Sequence, residues 1–413
     1  MIPQDYAMIE TVLDFLDTRR DRVVELQRGL VAIPALGPEN GGDGEGAKCD
    51  YIRERLAELG IPVQREMNAP DPRVPSGVRP SLAARVPGKS ERTLWVISHV
   101  DVVPPGELSL WSTDPWTLSV DGDVLVGRGV EDNNQAIVSS LLVAEALVAR
   151  KVTPELSLGM IFVADEETGS KHGLDYVLHE HGDLFRKDDL FLVPDFGEPD
   201  GSLVELAEKS MLWLKITVLG KQCHASRPSQ GNNSLVAASA FVMKIRSLYE
   251  RFDMRDQLFD PPFSTFEPTK KEANVENINT VPGKDVFYVD CRVLADYRIE
   301  DVEAAIRAMG DEIESIYGVK IEYESVQQEQ AAPATPLTAE ITRRLLAAIE
   351  ATSGLKAQPR GIGGGTVAAF LRRRGFEAAV WATLMHNAHQ PGEKALIVNH
   401  IGDAKVIARM LLA

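Results

Sequence analysis

Leu158-Gly159-Met160-Ile161-Phe162-Val163-Ala164-Asp165-Glu166-Glu167-Thr168-Gly169 is an unbroken apolar run that ends in three consecutive acids. A run without polar alternation reads as a strand buried on both faces, the kind found in parallel sheets covered by helices. In open α/β sheets the functional crevice lies at the carboxyl ends of the strands, where these acids stand. The same ending recurs along the chain: residues 93–98 feed His99, residues 190–194 feed Asp195, and residues 378–384 lead towards His389. Asp132 stands at the mouth of an apolar helix carrying Ile137, Leu141, Leu142 and Leu147. Donors this far apart in sequence meet only if a sheet gathers them, and their types are those of a metal site.

Helical periodicity covers residues 7–33 and stops at Ile33-Pro34. A glycine-rich turn, residues 41–46, then opens a second helix over about residues 47–59. Strands and helices alternate from there to about Glu205, which predicts a mostly parallel sheet flanked by helices. Asp121-Gly122, between two short apolar runs, predicts a hairpin. From about Ser210 the order changes to strand (212–219), helix (234–249), strand (275–279), strand (286–294), helix (300–316), strand (319–324). That βαββαβ order predicts a ferredoxin-like α+β domain. Residues 328–336 read as a linker, after which β/α periodicity resumes. The expected organisation is a discontinuous catalytic domain, residues 1–209 and 328–413, interrupted by an inserted domain, residues 210–327.

The chain has 413 residues, 44% of them apolar, with 61 acids against 44 bases and a formal charge of −17. A surplus of acids excludes a nucleic-acid partner, which needs clustered Lys and Arg. No apolar window approaches bilayer-spanning length, so no membrane partner is expected. Met1-Ile2-Pro3-Gln4-Asp5 opens a charged helical pattern rather than a secretory leader. Cys49, Cys223 and Cys291 form no CxxC or CxxH pair, which fits reduced thiols in a cytoplasmic protein.

His99-Val100-Asp101 puts two side chains on one face of an extended segment, so one can bind metal while the other orients it; the same pair could equally be a buried hydrogen-bonded strand end. Asp132 taken alone is a helix N-cap, and a carboxylate bridging two cations only in the company of the other donors. Asp165-Glu166-Glu167 is the most specific signal, because adjacent like charges repel unless cations neutralise them or one acid stays protonated. One glutamate can then ligate metal while its neighbour serves a water as general base. Nitrogen and oxygen donors without thiolate suit zinc, with cobalt or manganese as substitutes.

At this point the chain resembles a known family. His99-Val100-Asp101, Gly127-Arg128-Gly129 with Asp132, Asp165-Glu166-Glu167-Thr168-Gly169, Asp195 and His389-Gln390-Pro391-Gly392-Glu393 are similar, in order and spacing, to the co-catalytic zinc amidohydrolases and metallopeptidases. That group includes acetylornithine deacetylase, succinyl-diaminopimelate desuccinylase, carboxypeptidase G and bacterial dipeptidases. The resemblance runs from about Val31 to the carboxyl terminus. It implies two Zn2+ per subunit, one held by His99 and Asp195, the other by Glu167 and His389, with Asp132 bridging them. It makes Glu166 the general base and Asp101 the orienting partner. It assigns His224, in Gly220-Lys221-Gln222-Cys223-His224-Ala225-Ser226, to the active site of a partner subunit, so that the inserted domain is a lid and the seat of a homodimer. Asn279, Arg292, Gly365 and Thr366 become substrate-binding residues. Without the resemblance Asn279 is a turn residue and Arg292 a surface ion-pair partner.

The chain departs from the family pattern where Asn133-Asn134-Gln135 replaces an Asp-Lys-Gly type of continuation, and where Val367-Ala368-Ala369 replaces Asp-Ala-Arg. Of the other histidines, His179 and His181 read as a solvated helix end, His172 and His400 as orienting or structural groups, and His386 as equally ligand or bystander. Trp111, Trp116 and Trp381 read as packing anchors, Trp116 also as a candidate cleft wall. The expected activity is hydrolysis of the amide bond of an N-acyl amino acid or short peptide. The rivals are a strict dipeptidase or aminopeptidase and a noncatalytic, metal-loaded binding protein of the same fold.

Overall fold

The computed structural model describes residues 3–412, so Met1 and Ile2 of the opening segment lie outside the described residues. The chain divides into two compact units: residues up to Leu206 with Thr335–Pro359 and from Thr366 onward, and Ala207–Ala334 with Arg360–Gly365.

The first unit is built on an eight-stranded sheet in the order Val63–Pro70, Val78–Val86, Ser157–Val163, Thr93–His99, Leu190–Val193, Ala378–Val380, Leu203–Glu208, Gln358–Ile362. Its middle four strands are parallel, and the antiparallel pairings are towards the edges. The alternate residues Leu94 and Val96, Met160 and Phe162, Leu192 pack against helices Arg20–Val31, Asn134–Arg150, Glu340–Ser353 and Ile397–Leu412. The intervening Trp95 and Ile97, Ile161 and Val163, Phe191 and Val193 pack against Leu174–Glu180 and Ala368–Arg373. Burial on both faces is why these strands read as continuous apolar runs. The parallel register pairs His99 with Val163, so those two strands end level, and Val96 with Leu192, so the third strand ends just short of them and leaves Asp195 beside His99.

Residues 7–33 form two helices, Pro3–Asp17 and Arg20–Val31, rather than one. The Thr18 hydroxyl and amide both donate to the Phe15 carbonyl, 2.7 and 3.1 Å away, tightening the last turn and ending the first helix. The Asp121-Gly122 hairpin is present between Ser119–Asp121 and Val124–Val126.

The second unit is a four-stranded antiparallel sheet in the order Thr265–Lys271, Lys284–Val293, Ser210–Leu219, Lys320–Glu329, with Ser234–Ile245 and Ile299–Tyr317 packed on it. Its chain order is βαββαβ, but the second strand is Thr265–Lys271 and not 275–279, where Ile278 is fully exposed. The true strand escapes the apolar pattern because it is a mostly exposed edge with Pro268 at a register shift, a place where proline is tolerated. Gln328 and Glu329, read as linker, pair with Leu212 and Met211, so this unit reaches beyond residue 327. Arg360–Gly365 joins it through Lys209 N–H to the Ile362 carbonyl, 3.0 Å, and Gly361 N–H to the Leu258 carbonyl, 2.7 Å. Among the described residues no helix is long and apolar enough to cross a membrane.

Candidate metal centre

These neighbouring strand ends bring His99, the Glu166-Glu167 turn and Asp195 to one rim of the first unit. Asp132 and His389 complete the set. His99 Nε2 lies 2.8 Å from Asp132 Oδ1 and 3.4 Å from Asp195 Oδ1. His389 Nε2 lies 3.0 Å from Asp132 Oδ2 and 3.1 Å from Glu167 Oε2. Two donor groups result, His99 with Asp132 and Asp195, and Asp132 with Glu167 and His389, each compact enough for one ion. Asp132 belongs to both and turns one oxygen to each histidine. It is not a helix cap, since Asn133 occupies the N-cap position of Asn134–Arg150.

The donors fit a cation on two counts. Glu167 Oε1 is buried with no hydrogen-bond partner, an arrangement that costs free energy unless something positive completes it. The protonation directions agree. Burial opposes a charged His99, yet Asp195, Asp101 and Asp132 raise its pKa well above the ordinary imidazole value. Hydrogen bonds to Asp132 and Glu167 raise His389 to about 10. Burial would raise Asp132, but the two histidines hold it below the usual carboxylate range. The pocket draws positive charge, which divalent ions would supply with neutral imidazoles as ligands.

Glu166 is the adjacent acid. Burial is the main cause of a carboxyl pushed well above its usual range; His99 opposes the shift and Asp195, Glu167 and Asp132 add to it. The Asp101 carboxylate accepts the Glu166 and Glu167 amides, 3.1 Å each, and so seats the whole turn. His99 Nδ1 faces the Asp101 carbonyl at 3.0 Å, closer than the Asp101 carboxylate at 3.6 Å. Asp165, the first acid of the triplet, faces away from both donor groups. Arg79 Nη1 meets it at 2.7 Å, and Glu45 closes the far side of the guanidinium.

Several residues that hold the site carry no sequence label of their role. Glu393, fully buried, accepts the Gly129, Glu131 and Asp132 amides and the Arg128 guanidinium at 2.6–3.1 Å. Glu131 accepts the Met385 and Asn387 amides and thereby fixes the loop carrying His389. Glu393 was visible as the end of the His389 motif, but Glu131 had no signal beyond its place beside Asp132.

His386 pairs with Glu198 at 3.2 Å and stands outside both donor groups, His172 lies 3.1 Å from Asp165, and His400 is buried against Gln27. His179 is exposed and pairs with Glu180. Trp381 and Trp111 are buried and Trp116 half-buried.

In the second unit, Cys223–His224 pairs with Thr280–Val281, and Ala225 N–H donates to the Asn279 carbonyl at 2.8 Å, so the His224 and Asn279 segments are neighbours. His224 is exposed, and its Nδ1 accepts from the Ser226 amide at 3.1 Å. The Arg292 fork is engaged by Asp290 at 2.7 and 3.1 Å, the ion-pair arrangement, and its remaining nitrogen donates to the Gly363 carbonyl at 2.7 Å. Gly365 is exposed at the end of that glycine run. Thr366 begins the next segment of the first unit, its hydroxyl 3.5 Å from Glu205.

The family model described as peptidase family M20/M25/M40 matches residues 95–413. An uncharacterised metallohydrolase of Methanococcus maripaludis is 38% identical, covering 95% of this chain and 99% of its own. A succinyl-diaminopimelate desuccinylase of Acidovorax ebreus is 24% identical over 82% of this chain and 84% of its own. Human carnosine dipeptidase 1 has the same fold, with a TM-score of 0.72 at 15% identity over 98% of each chain. Together with a rim that gathers carboxylates and imidazoles into two cation-sized groups, this places the chain in the M20/M25/M40 peptidase family as a metal-dependent hydrolase of amide or peptide bonds.

Proposed function

We propose that this protein is a dizinc amidohydrolase that removes the acyl group from N-acyl amino acids or cleaves short peptides, with Co2+ or Mn2+ as possible replacements for Zn2+. The observation that carries the reading is Asp132, one oxygen towards His99 and the other towards His389. When bound, two divalent ions would polarise the scissile carbonyl and acidify a water. Glu166 takes a proton from the attacking water as its oxygen bonds to the carbonyl carbon. As the C–N bond breaks, Glu166 passes that proton to the departing amine. A carboxyl whose pKa is raised by burial is suited to both transfers. Asp101, holding the Glu166 and Glu167 amides, keeps base and ligand in fixed relation.

A homodimer is part of this proposal, with His224 of each protomer serving the oxyanion in its partner, and Asn279, Arg292, Gly365 and Thr366 holding substrate. Support comes from the exposed apolar face of helix Ser234–Ile245, where Leu235, Val236 and Met243 are 37%, 49% and 68% exposed. Three free cysteines agree with a cytoplasmic compartment. The test is Glu166→Gln: metal content by elemental analysis stays at the wild-type value while kcat on N-acetyl, N-succinyl and dipeptide substrates falls by about 10²–10⁴-fold. Near-normal turnover overturns the assignment. Dependence on a free substrate amine in the same panel would select strict aminopeptidase or dipeptidase activity.

A further inference from the structure

We infer that Asn133 is a positioning residue that sets the His99–Asp195 cation pocket through its carboxamide. The inference rests on the metal reading above. Asn133 is 1% exposed, both N–H donors of its carboxamide are engaged, and its oxygen accepts one further hydrogen bond. Its Oδ1 accepts the His99 amide at 3.3 Å, and its Nδ2 donates to the Pro194 carbonyl at 2.9 Å and to Asp195 Oδ1 at 2.7 Å. One side chain thus ties together the ends of two adjacent parallel strands, Thr93–His99 and Leu190–Val193, each of which delivers one donor of that pocket. Its own backbone is anchored, because the Asn133 carbonyl accepts the Ala136 and Ile137 amides that start helix Asn134–Arg150. Asp195 Oδ1 is the oxygen facing His99 Nε2, so the carboxamide aims the carboxylate as well as holding it.

The chemistry explains the residue type. An aspartate has the same shape but no donor when ionised, and would set a second anion against Asp195 and a carbonyl oxygen. A serine stays neutral but cannot span all three partners. The segment that departs from the family pattern is therefore integral to the site.

Asn133→Asp and Asn133→Ser are compared with wild type for Zn2+ retained per chain during titration with dipicolinate, and for the visible spectrum of the Co2+-loaded protein. One of two ions should release at about 10–100-fold lower chelator in both variants, with a changed cobalt spectrum, while the other ion is held as in wild type. Melting of the metal-free proteins separates this from a folding defect, since Asn133→Ser should melt close to wild type. Wild-type retention of both ions with an unchanged cobalt spectrum in the two variants overturns the inference. A wild-type chain that binds no Zn2+ overturns the metal reading itself, and the inference with it.

Discussion

Arg79 has no exposed surface, and its guanidinium lies between two buried carboxylates, Glu45 and Asp165. Removing such a cation leaves two uncompensated charges in the interior, so Arg79→Met should destabilise the fold by about 3–5 kcal/mol, read from urea unfolding. A change within about 1 kcal/mol would mean that Arg79 does not neutralise this cluster. The triplet 165–167 was legible as a charged strand end, but not the division of labour within it. Glu166 and Glu167 turn to the donor groups, whereas Asp165 holds the turn from below, accepting the His172 amide at 2.8 Å. The five candidate ligands could be read in sequence because each is a metal-binding type at the end of an apolar run. Asn133 and Glu131 could not, and Glu393 only as the end of the His389 motif, because their task is to accept or donate to particular backbone groups. Those contacts span 34 residues for Asn133 with His99 and more than 250 for Glu131 with the His389 loop.

At the scale of elements, what the sequence made plain was whatever is buried on a regular period. The parallel strands, the hairpin and most helices follow from apolar patterning, while the exposed edge strand Thr265–Lys271 has no such pattern. Helix Ile397–Leu412 shows a third case, a polar residue inside an apolar face. His400 is fully buried; its Nδ1 donates to the Leu396 carbonyl at 2.8 Å and its Nε2 faces the Gln27 amide nitrogen at 2.7 Å, an arrangement for the neutral ring. Burial pushes its pKa down to about 4 from 6.5. With the folded value depressed, the unfolded chain takes the proton first as pH falls. The stability linked to His400 is therefore full above about pH 6.5, falls as pH drops towards about 4, and is constant below, a total of about 3 kcal/mol. His400→Leu removes this term, so the stability gap between wild type and variant in urea should narrow by about 2 kcal/mol from about pH 7.5 to about pH 5. A gap independent of pH would show that the folded ring accepts the proton freely.

For the molecule as a whole, the formal charge of −17 and the apolar helix face act in opposite directions. Two copies carrying the same charge repel, and that repulsion is screened by salt, so the proposed association would have to come from apolar burial. Leu235, Val236 and Met243 lie on one exposed side of helix Ser234–Ile245, whose other side, Ala237, Ala238, Phe241 and Ile245, is buried in the second unit's own core. Two consequences separate an apolar dimer from a monomer with a greasy surface. If the proposed dimer forms, sedimentation equilibrium should show it tightening as NaCl is raised, because screening weakens the repulsion and leaves the apolar term in place. Val236→Glu with Met243→Glu should give a monomer that still binds wild-type amounts of Zn2+, because every candidate ligand belongs to the first unit. If His224 serves the partner's site, kcat of that monomer should fall together with dimer content and recover none of its value at saturating substrate. A double variant that stays dimeric, or a monomer with full kcat, would remove the partner subunit from the mechanism while leaving the metal centre as described.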